Sequence, residues 1–410
     1  MTGLMTGRRI PRPAELAPLL RMRGINGTPV QRRLARAMTI GDLRRIARRR
    51  TPRAVFDYTD GGAEGEISMR RSRAALDRIE FRPRVLQDVS TVNPEVELFG
   101  RSLSLPLVLA PTGFTRMMHH EGELAVARAA QAAGVPYTLS TMGTRAIEEV
   151  AKAAPHADLW FQLYLWRDRE ASRGLMARAR AAGYTTLVVT VDTPVAGSRL
   201  RDVYNGMTIP PSLTPRTFLD GAIRPSWWLN FLTTEPLNFA SLSSWNGTVE
   251  QLANKMFDPS ATLADISRLR DDWDGTLLVK GIQHVDDAAC VTKSGADGVV
   301  LSNHGGRQLD RAPVPLEQLP EIRRALGPEA KILVDGGFRS GADIAAGVGL
   351  GADAVMLGRA YLYGLMAGGE RGVNRALEIL GGEFRRTMQL TGVQTVAGLR
   401  DDRARLRPDG

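Results

Sequence analysis

"KILVDGGFRSGADIAAGVGLGADAVMLGRA", residues 331–360, holds two short apolar runs separated by a stretch of helical spacing. The first run closes in Asp335, Gly336 and Gly337, and the second in Gly358 and Arg359. Between them Ser340 and Asp343 are spaced as a capping box, which marks a helix start. Two continuous apolar strands joined through a helix run parallel, with helices covering the sheet.

The same unit recurs toward the N-terminus. Apolar runs stand at 105–113, 136–142, 159–166, 185–194, 275–282 and 296–306, and Ala-, Glu- and Arg-rich stretches such as "EGELAVARAAQAAG" lie between most of them. With 331–337 and 352–360 they make eight. Eight units predict an α/β fold, a closed (β/α)8 TIM barrel, in preference to an open doubly wound sheet. The rhythm breaks once, where residues 195–274 separate the fourth and fifth runs and include "IRPSWWLNFLTTEPLNFASLSSW". An insertion of that length is read as a lid or docking element. Residues 1–35 are read as a poorly ordered extension, 36–400 as the barrel unit with its N-terminal helical segment ("TIGDLRRIARRRTPRAVFDYTDGGAEGE"), and 401–410 as a tail.

Composition narrows the class. Of 410 residues, 43% are hydrophobic and 24% charged, the balance of a globular protein with a sizeable core. The single cysteine, Cys290, excludes an internal disulfide framework and reads as a small core residue on a helix. The N-terminus lacks the apolar stretch of a secretory signal, and no run is long enough to span a bilayer, so a cytoplasmic location is expected. The net charge of +10 is concentrated in "QRRLARAMTIGDLRRIARRRTPR". The favoured reading is the solvated face of an amphipathic helix, with an anionic membrane surface as the alternative. No nucleic-acid module is present, and nucleic acid is not expected as a partner.

In a barrel the chemistry sits where the strands end. Those ends carry Pro111, Thr112 and Gly113; Ser140; Gln162 and Tyr164; Thr190 and Asp192; Lys280; His304 and Arg307; Asp335, Gly336, Gly337 and Arg339; Gly358 and Arg359. Gln162 and Tyr164 share a face, as do Thr190 and Asp192. Glycines and arginines at the last two strands suit a phosphate group. No GxGxxG opens the first unit, so a nicotinamide site is not expected, and no nucleophile elbow is seen. No metal site is expected either: His119 and His120 are adjacent, should diverge, and are read as surface or loop residues. What is left is a lysine that can stabilise flavin charge or form a Schiff base, an arginine fork for a carboxylate, and a histidine that can take a proton beside it.

These residues, in the motifs "FDYTDGGAEGE", "APTGF", "FQLYLW", "TVDTPVAG", "LVKGI", "LSNHGGRQLD", "LVDGGFRSGAD" and "GRAYLYGLMAGGERGV", resemble the FMN-dependent L-2-hydroxy acid oxidases and dehydrogenases, over about residues 36–400. The insertion is most similar to the bacterial L-lactate dehydrogenase branch. The resemblance implies His304 as base, oriented by Asp192, with Arg307, Tyr58 and Arg199 at the substrate carboxylate and Tyr164 near its hydroxyl. It implies FMN as cofactor, with Lys280 beside the ring's N1 and C2 carbonyl and Pro111, Thr112, Gly113, Ser140, Gln162 and Thr190 lining the isoalloxazine. Ser302 and Gly336 complete that cofactor set, and Asp335, Gly337, Arg339, Gly358 and Arg359 hold the phosphate. The implied reaction is oxidation of a small 2-hydroxy acid, lactate first, with quinone or a cytochrome as acceptor. Peripheral contact with the inner face of the membrane and a homotetramer are implied as partners. The alternatives are an oxygen-using oxidase or lactate monooxygenase and, less favoured, an FMN-dependent isomerase. Gly113 resembles the dehydrogenases and lactate monooxygenase, whereas Met142 departs from the tryptophan of glycolate oxidase.

Overall fold

Eight parallel strands close on themselves in the computed structural model, which describes residues 12, 27–206, 220–237, 240 and 257–408. They are β1 (Leu107–Leu109), β2 (Tyr137–Ser140), β3 (Leu159–Tyr164), β4 (Thr186–Thr190), β5 (Thr276–Ile282), β6 (Gly298–Leu301), β7 (Lys331–Val334) and β8 (Ala354–Leu357). Each lies inside one of the eight apolar runs. Pairing of Val355, Met356 and Leu357 with Leu107, Val108 and Leu109 shuts the barrel. The Ser340–Asp343 capping box forms as the spacing predicts.

Side-chain parity divides the strands into two sets. Val108, Trp160, Val188, Leu278, Val300, Leu333, Ala354 and Met356 fill the barrel interior as one buried cluster. Their odd neighbours, such as Phe161, Leu187, Val189 and Val299, join the outer core under the helices. A hairpin of residues 96–98 and 101–103 plugs the floor, with Phe99 edge-on to Trp160 at 6.1 Å. The floor is therefore dry, and chemistry is left to the open top.

The N-terminal helical segment is two helices rather than one, α2 (Ile40–Arg50) and α3 (Arg53–Asp60), which starts after Thr51-Pro52, and α1 (Pro29–Ala35) precedes both. Pro52 lacks the N–H that would continue α2, so the helix stops there. On α2, Ile40, Leu43 and Ala47 face inward, and burying each of the two larger side chains contributes roughly 1.5–3 kcal/mol. Arg45, Arg48 and Arg49 are exposed, the solvated face expected.

Four expectations are corrected. Residues 29–35 are ordered as α1, because Leu34 buries against the core. The C-terminal tail is paired: Ala404–Leu406 joins Ile79–Phe81 as an antiparallel strand. The insertion is shorter than 195–274, since α6 (Leu263–Asp272) packs Ile266 and Leu269 into the outer core like any barrel helix. Within the insertion α5 (Pro225–Thr233) is described, whereas much of "EPLNFASLSSW" lies outside the described residues. Cys290 is exposed: its helix turns Ala288 and Val291 inward instead.

One buried carboxylate ties the N-terminal helices to the barrel. Asp60 takes a two-point grip from Arg44 (2.6 and 2.7 Å), the hydroxyl of Tyr363 (2.7 Å) and Arg201 (3.2 Å). Burial alone would raise the Asp60 carboxyl; Arg44, Tyr363 and Arg359 outweigh it and lower it to about 2. Because the folded value is depressed, the stabilisation is present above the ordinary value of 3.8 and is lost as pH falls from there toward 2. Asp60→Asn should cost about 1–3 kcal/mol at neutral pH, with Arg44 partly solvated. In urea titrations the gap between variant and parent should shrink at pH 3; an unchanged gap would contradict this assignment.

Candidate active site

The polar residues at the strand tops stand two positions beyond the interior apolar set. Val188 leads to Thr190 and Asp192, Trp160 to Gln162 and Tyr164, Leu278 to Lys280, Val300 to Ser302, Leu333 to Asp335 and Met356 to Gly358. Parity alone thus aims them at one space. That space is a cavity of about 240 Å³ whose wall includes Tyr58, Pro111, Thr112, Gly113, Gln162, Tyr164, Thr190, Arg199, Lys280, His304, Arg307, Asp335, Gly336, Gly337, Arg339, Gly358 and Arg359. Of the residues expected at the site, Ser140 and Ser302 stand just behind the wall. Ser140 donates to Gln162 (3.1 Å), and Ser302 accepts from Lys280 (2.8 Å).

His304 is the centre of a tight turn. Its φ is 57°, uncommon for a residue with a side chain, and Gly305 and Gly306 continue at 63° and 72°. Asn303 holds the turn by accepting from Gly306 N at 3.1 Å, while its amide donates to Ser72 Oγ and Pro313 O. In this conformation His304 Nδ1 meets Asp192 Oδ1 at 3.0 Å. With the Nδ1 proton donated to the carboxylate, Nε2 carries the free lone pair. Burial alone would raise Asp192; His304 and Lys280 hold it below the usual carboxylate range, so it stays anionic. Its other oxygen, Oδ2, is buried without a hydrogen-bond partner among the described residues.

Gly281 makes room for that carboxylate. The pairing of β5 with β6 slips between Lys280 and Ile282, and Gly281 sits there at φ 110°. A Cβ at 281 would lie 2.7 Å from the Asp192 Cβ. Lys280 is buried, paired with Asp335 at 2.8 Å.

The cationic side of the cavity is built from two arginines around Tyr58. Arg307 stands 5.0 Å and Arg199 5.4 Å from the centre of the Tyr58 ring. Arg307 Nη1 donates to Tyr58 O (2.6 Å) and Gly61 O (3.1 Å), which leaves Nη2 and Nε for a ligand. Burial, then the neighbouring Arg199, lowers Arg307 to about 10, so it remains a cation at neutral pH. Arg359 is spent largely on backbone: it donates to Thr59 O, Gly305 O and Gly61 O at 2.7–3.0 Å. It builds the site as much as it charges it.

Several contributors carry no local signal in the sequence. Tyr361 is held by Ala110 O (2.9 Å) and meets Thr112 Oγ1 at 2.5 Å. Gln308 pins the loop after β4, donating to Asp192 O and Val195 O. Met69, Ser72 and Arg73 reach the wall from α4 (Ile67–Asp77), outside the barrel repeat. A polar side chain beside a strand-end motif is the one clue, and Gln308, in "NHGGRQLD", and Tyr361, in "GRAYLYG", had it.

His119 and His120 do not diverge. Their rings lie 4.5 Å apart, and with Glu121 they offer three ligand atoms within 4.8 Å of one another. Burial, then His120 and Arg50, lowers His119 to about 3 and keeps it neutral. Glu121 already accepts from Glu370 N at 2.7 Å, and Arg50 and Arg116 line the same small cleft. A cation there faces two guanidiniums.

The main cavity suits an FMN. Gly336 and Gly337 (φ 102° and 87°) and Gly358, whose Cβ direction is open, leave backbone beside Arg339 and Arg359 for a phosphate. Asp335 Oδ1 is buried and has no hydrogen-bond partner among the described residues, which suits a donor such as a ribityl hydroxyl. Gln162, Thr190 and Lys280 supply polar groups for a heteroaromatic ring.

Comparison with known proteins agrees. The family described as FMN-dependent dehydrogenase matches residues 47–406. A Mycobacterium tuberculosis protein named "Putative L-lactate dehydrogenase" is 57% identical over 390 residues, 95% of this chain and 94% of that protein. The L-lactate dehydrogenase of Caulobacter vibrioides is 45% identical over 88% of this chain and 95% of its own length. Among solved structures, the monotopic membrane protein (S)-mandelate dehydrogenase superposes with TM-score 0.87 at 40% identity, covering 91% of this chain and all of that one. The family match takes in all eight barrel strands: this chain belongs to the FMN-dependent dehydrogenases that oxidise L-2-hydroxy acids.

Proposed function

We propose that the protein oxidises L-lactate to pyruvate and passes the electrons to a quinone or cytochrome at a membrane surface. The observation that carries this reading is His304, held from behind by Asp192, facing the same cavity as Arg307 and Tyr58. Bound FMN supplies the two-electron sink. Arg307 offers its unspent N–H groups to the lactate carboxylate, with Tyr58 and Arg199 beside it. Tyr164, raised by burial and then by Asp192, stays protonated and donates toward the hydroxyl. His304 Nε2 accepts the proton the substrate gives up, and Asp192 stabilises the imidazolium that results. Lys280 would offset negative charge on the reduced ring, and Pro111, Thr112, Gly113, Ser140, Gln162, Thr190 and Ser302 would line or support it. Asp335, Gly336, Gly337, Arg339, Gly358 and Arg359 would hold the ribityl phosphate. Relatives named L-lactate dehydrogenase favour lactate over the mandelate of the structural neighbour.

Membrane contact is supported from the insertion. Ile223, Leu229 and Leu232, on and beside α5, are 73%, 62% and 59% exposed, apolar side chains that water does not favour. Trp227 is not among them: it packs inward and donates to Met117 O at 2.9 Å. No helix among the described residues is long and apolar enough to cross a membrane, so contact would be peripheral.

Purified protein should be yellow, and L-lactate should bleach it anaerobically without nicotinamide. Admission of quinone rather than air should restore the colour quickly; fast reoxidation by air alone would favour an oxidase. His304→Asn should keep its flavin and reduce it about 10²–10⁴-fold more slowly. A variant with parental reduction rates would remove His304 from its role.

Arg307→Lys should lower kcat/KM for lactate roughly 10–150-fold, since a point charge does not reproduce the fork. In the parent, the carboxylate grip needs the cation, so kcat/KM should hold through neutral pH and fall as pH rises toward 10. A flat alkaline limb would count against Arg307 as the anchor. Separately, Ile223, Leu229 and Leu232 changed together to Ser should abolish co-flotation with anionic vesicles while lactate still bleaches the flavin. Retained flotation would move the contact elsewhere.

A further inference from the structure

Phe257 is, among the described residues, the bulky aromatic at the free end of the cavity. When the carboxylate side is assigned to Arg307, Arg199 and Tyr58, and the phosphate side to β7 and β8, the wall left for a substrate's third substituent includes Met118, Met142, Ala196 and Phe257. The two methionines are unbranched and yield to shape. Ala196 is small. Phe257 is neither: its ring meets Tyr164 edge-on, centroids 5.5 Å apart at 89°.

The backbone on its C-terminal side is locked. Asp258 is buried and accepts from Ser260 N (3.0 Å), Ser260 Oγ (2.6 Å) and Arg169 Nη2 (2.6 Å). Arg169 Nη2 also reaches Asp265 at 3.1 Å, at the start of α6, and its Nη1 donates to Trp166 O just past β3. The restraint is therefore a closed loop. It runs from Tyr164 on β3 through Trp166, Arg169 and Asp258 to Phe257, and returns to Tyr164 by ring contact. A ring held at both ends does not swing aside for a larger ligand.

We propose that Phe257 is the size gauge of the substrate pocket: it limits the chain to short aliphatic 2-hydroxy acids and turns aromatic ones away. The proposal rests on the hydroxy-acid reading of the site and deepens it. Asp258 and Arg169 act on it as positioning residues.

The test compares the holoenzyme with Phe257→Ala and Phe257→Leu, each checked for parental flavin content. The anaerobic rate of flavin reduction is read as kcat/KM for L-lactate, L-2-hydroxybutyrate and (S)-mandelate. The parent should prefer lactate. Phe257→Ala should raise the mandelate-to-lactate ratio at least tenfold, in line with the roughly 10–200-fold that one methylene in a pocket is worth, and Phe257→Leu should fall between. A merely structural role would lower all three rates together and leave the ratio alone. An unchanged ratio in Phe257→Ala, or a parent that takes mandelate as readily as lactate, overturns the gauge while leaving hydroxy-acid oxidation intact. A parent reduced by none of the three acids would instead overturn the function on which the gauge rests.

Discussion

The carbonyl end of α3 is where the structure is decided. A helix leaves its last carbonyls without internal partners, and here the donors that meet them are guanidiniums from the barrel. Arg307 takes Tyr58 O and Gly61 O, while Arg359 takes Thr59 O and Gly61 O. Two buried cations are costly unless hydrogen-bonded, and burial does lower both. The negative end of the helix dipole and the Asp60 carboxylate beside it compensate. One set of contacts therefore closes a helix, neutralises two buried charges and places the Tyr58 ring between Arg199 and Arg307. The barrel alone does not set a ring between two guanidiniums; docking of α3 does.

Across the cavity, geometry is fixed by backbone that ordinary residues avoid. His304 adopts a left-handed conformation, and conformations of that kind cost on the order of 1–3 kcal/mol. The Asn303 bonds and the approach of Ala63 N to Gly306 O at 2.8 Å hold it there. The spacing of His304 and Arg307 is thus explained by the Gly-Gly pair between them. The chain turns back so that the imidazole faces Asp192 while the guanidinium faces α3. Gly281 answers from β5, where a bulge and a missing Cβ let Asp192 occupy the space. His304 with Arg307, Asp192 and Tyr58 come from three segments whose hydrogen bonds fix their relative placement.

Period and parity explain how much the sequence disclosed. Eight apolar runs gave eight strands, because a strand buried on both faces has little polar alternation to confuse the reading. Strand-end residues were legible for the same reason: Lys280 stands two beyond Leu278, and Asp335 two beyond Leu333, so an interior position near the floor becomes a site position at the top. Whatever depended on tertiary docking was hidden. Leu34 in α1 and Ala404 in the last strand carry no periodic signal long enough to announce order, yet both are buried. Cys290 was misread because a nine-residue helix with Ala288 and Val291 inward leaves its neighbour at 290 facing water. The histidine pair was misread because regular-structure geometry does not apply where a short helix ends at Met118.

The boundary between legible and hidden follows a division of labour. Electron and proton chemistry needs fixed distances, so its residues sit on strand ends and strained turns that leave patterns in the chain. The residues proposed for substrate choice and surface contact stand instead on the insertion between β4 and α6. Phe257 shows the two regimes meeting. It belongs to the insertion, but Arg169, just beyond the end of β3, fixes it through Asp258, at 2.6 Å, so that a loop residue is tied to the end of a strand. A relative can alter that residue without disturbing His304, Asp192 or Arg307, because none of the contacts that hold those three passes through the insertion's aromatic face. Substrate preference can therefore drift within this fold while the reaction stays the same.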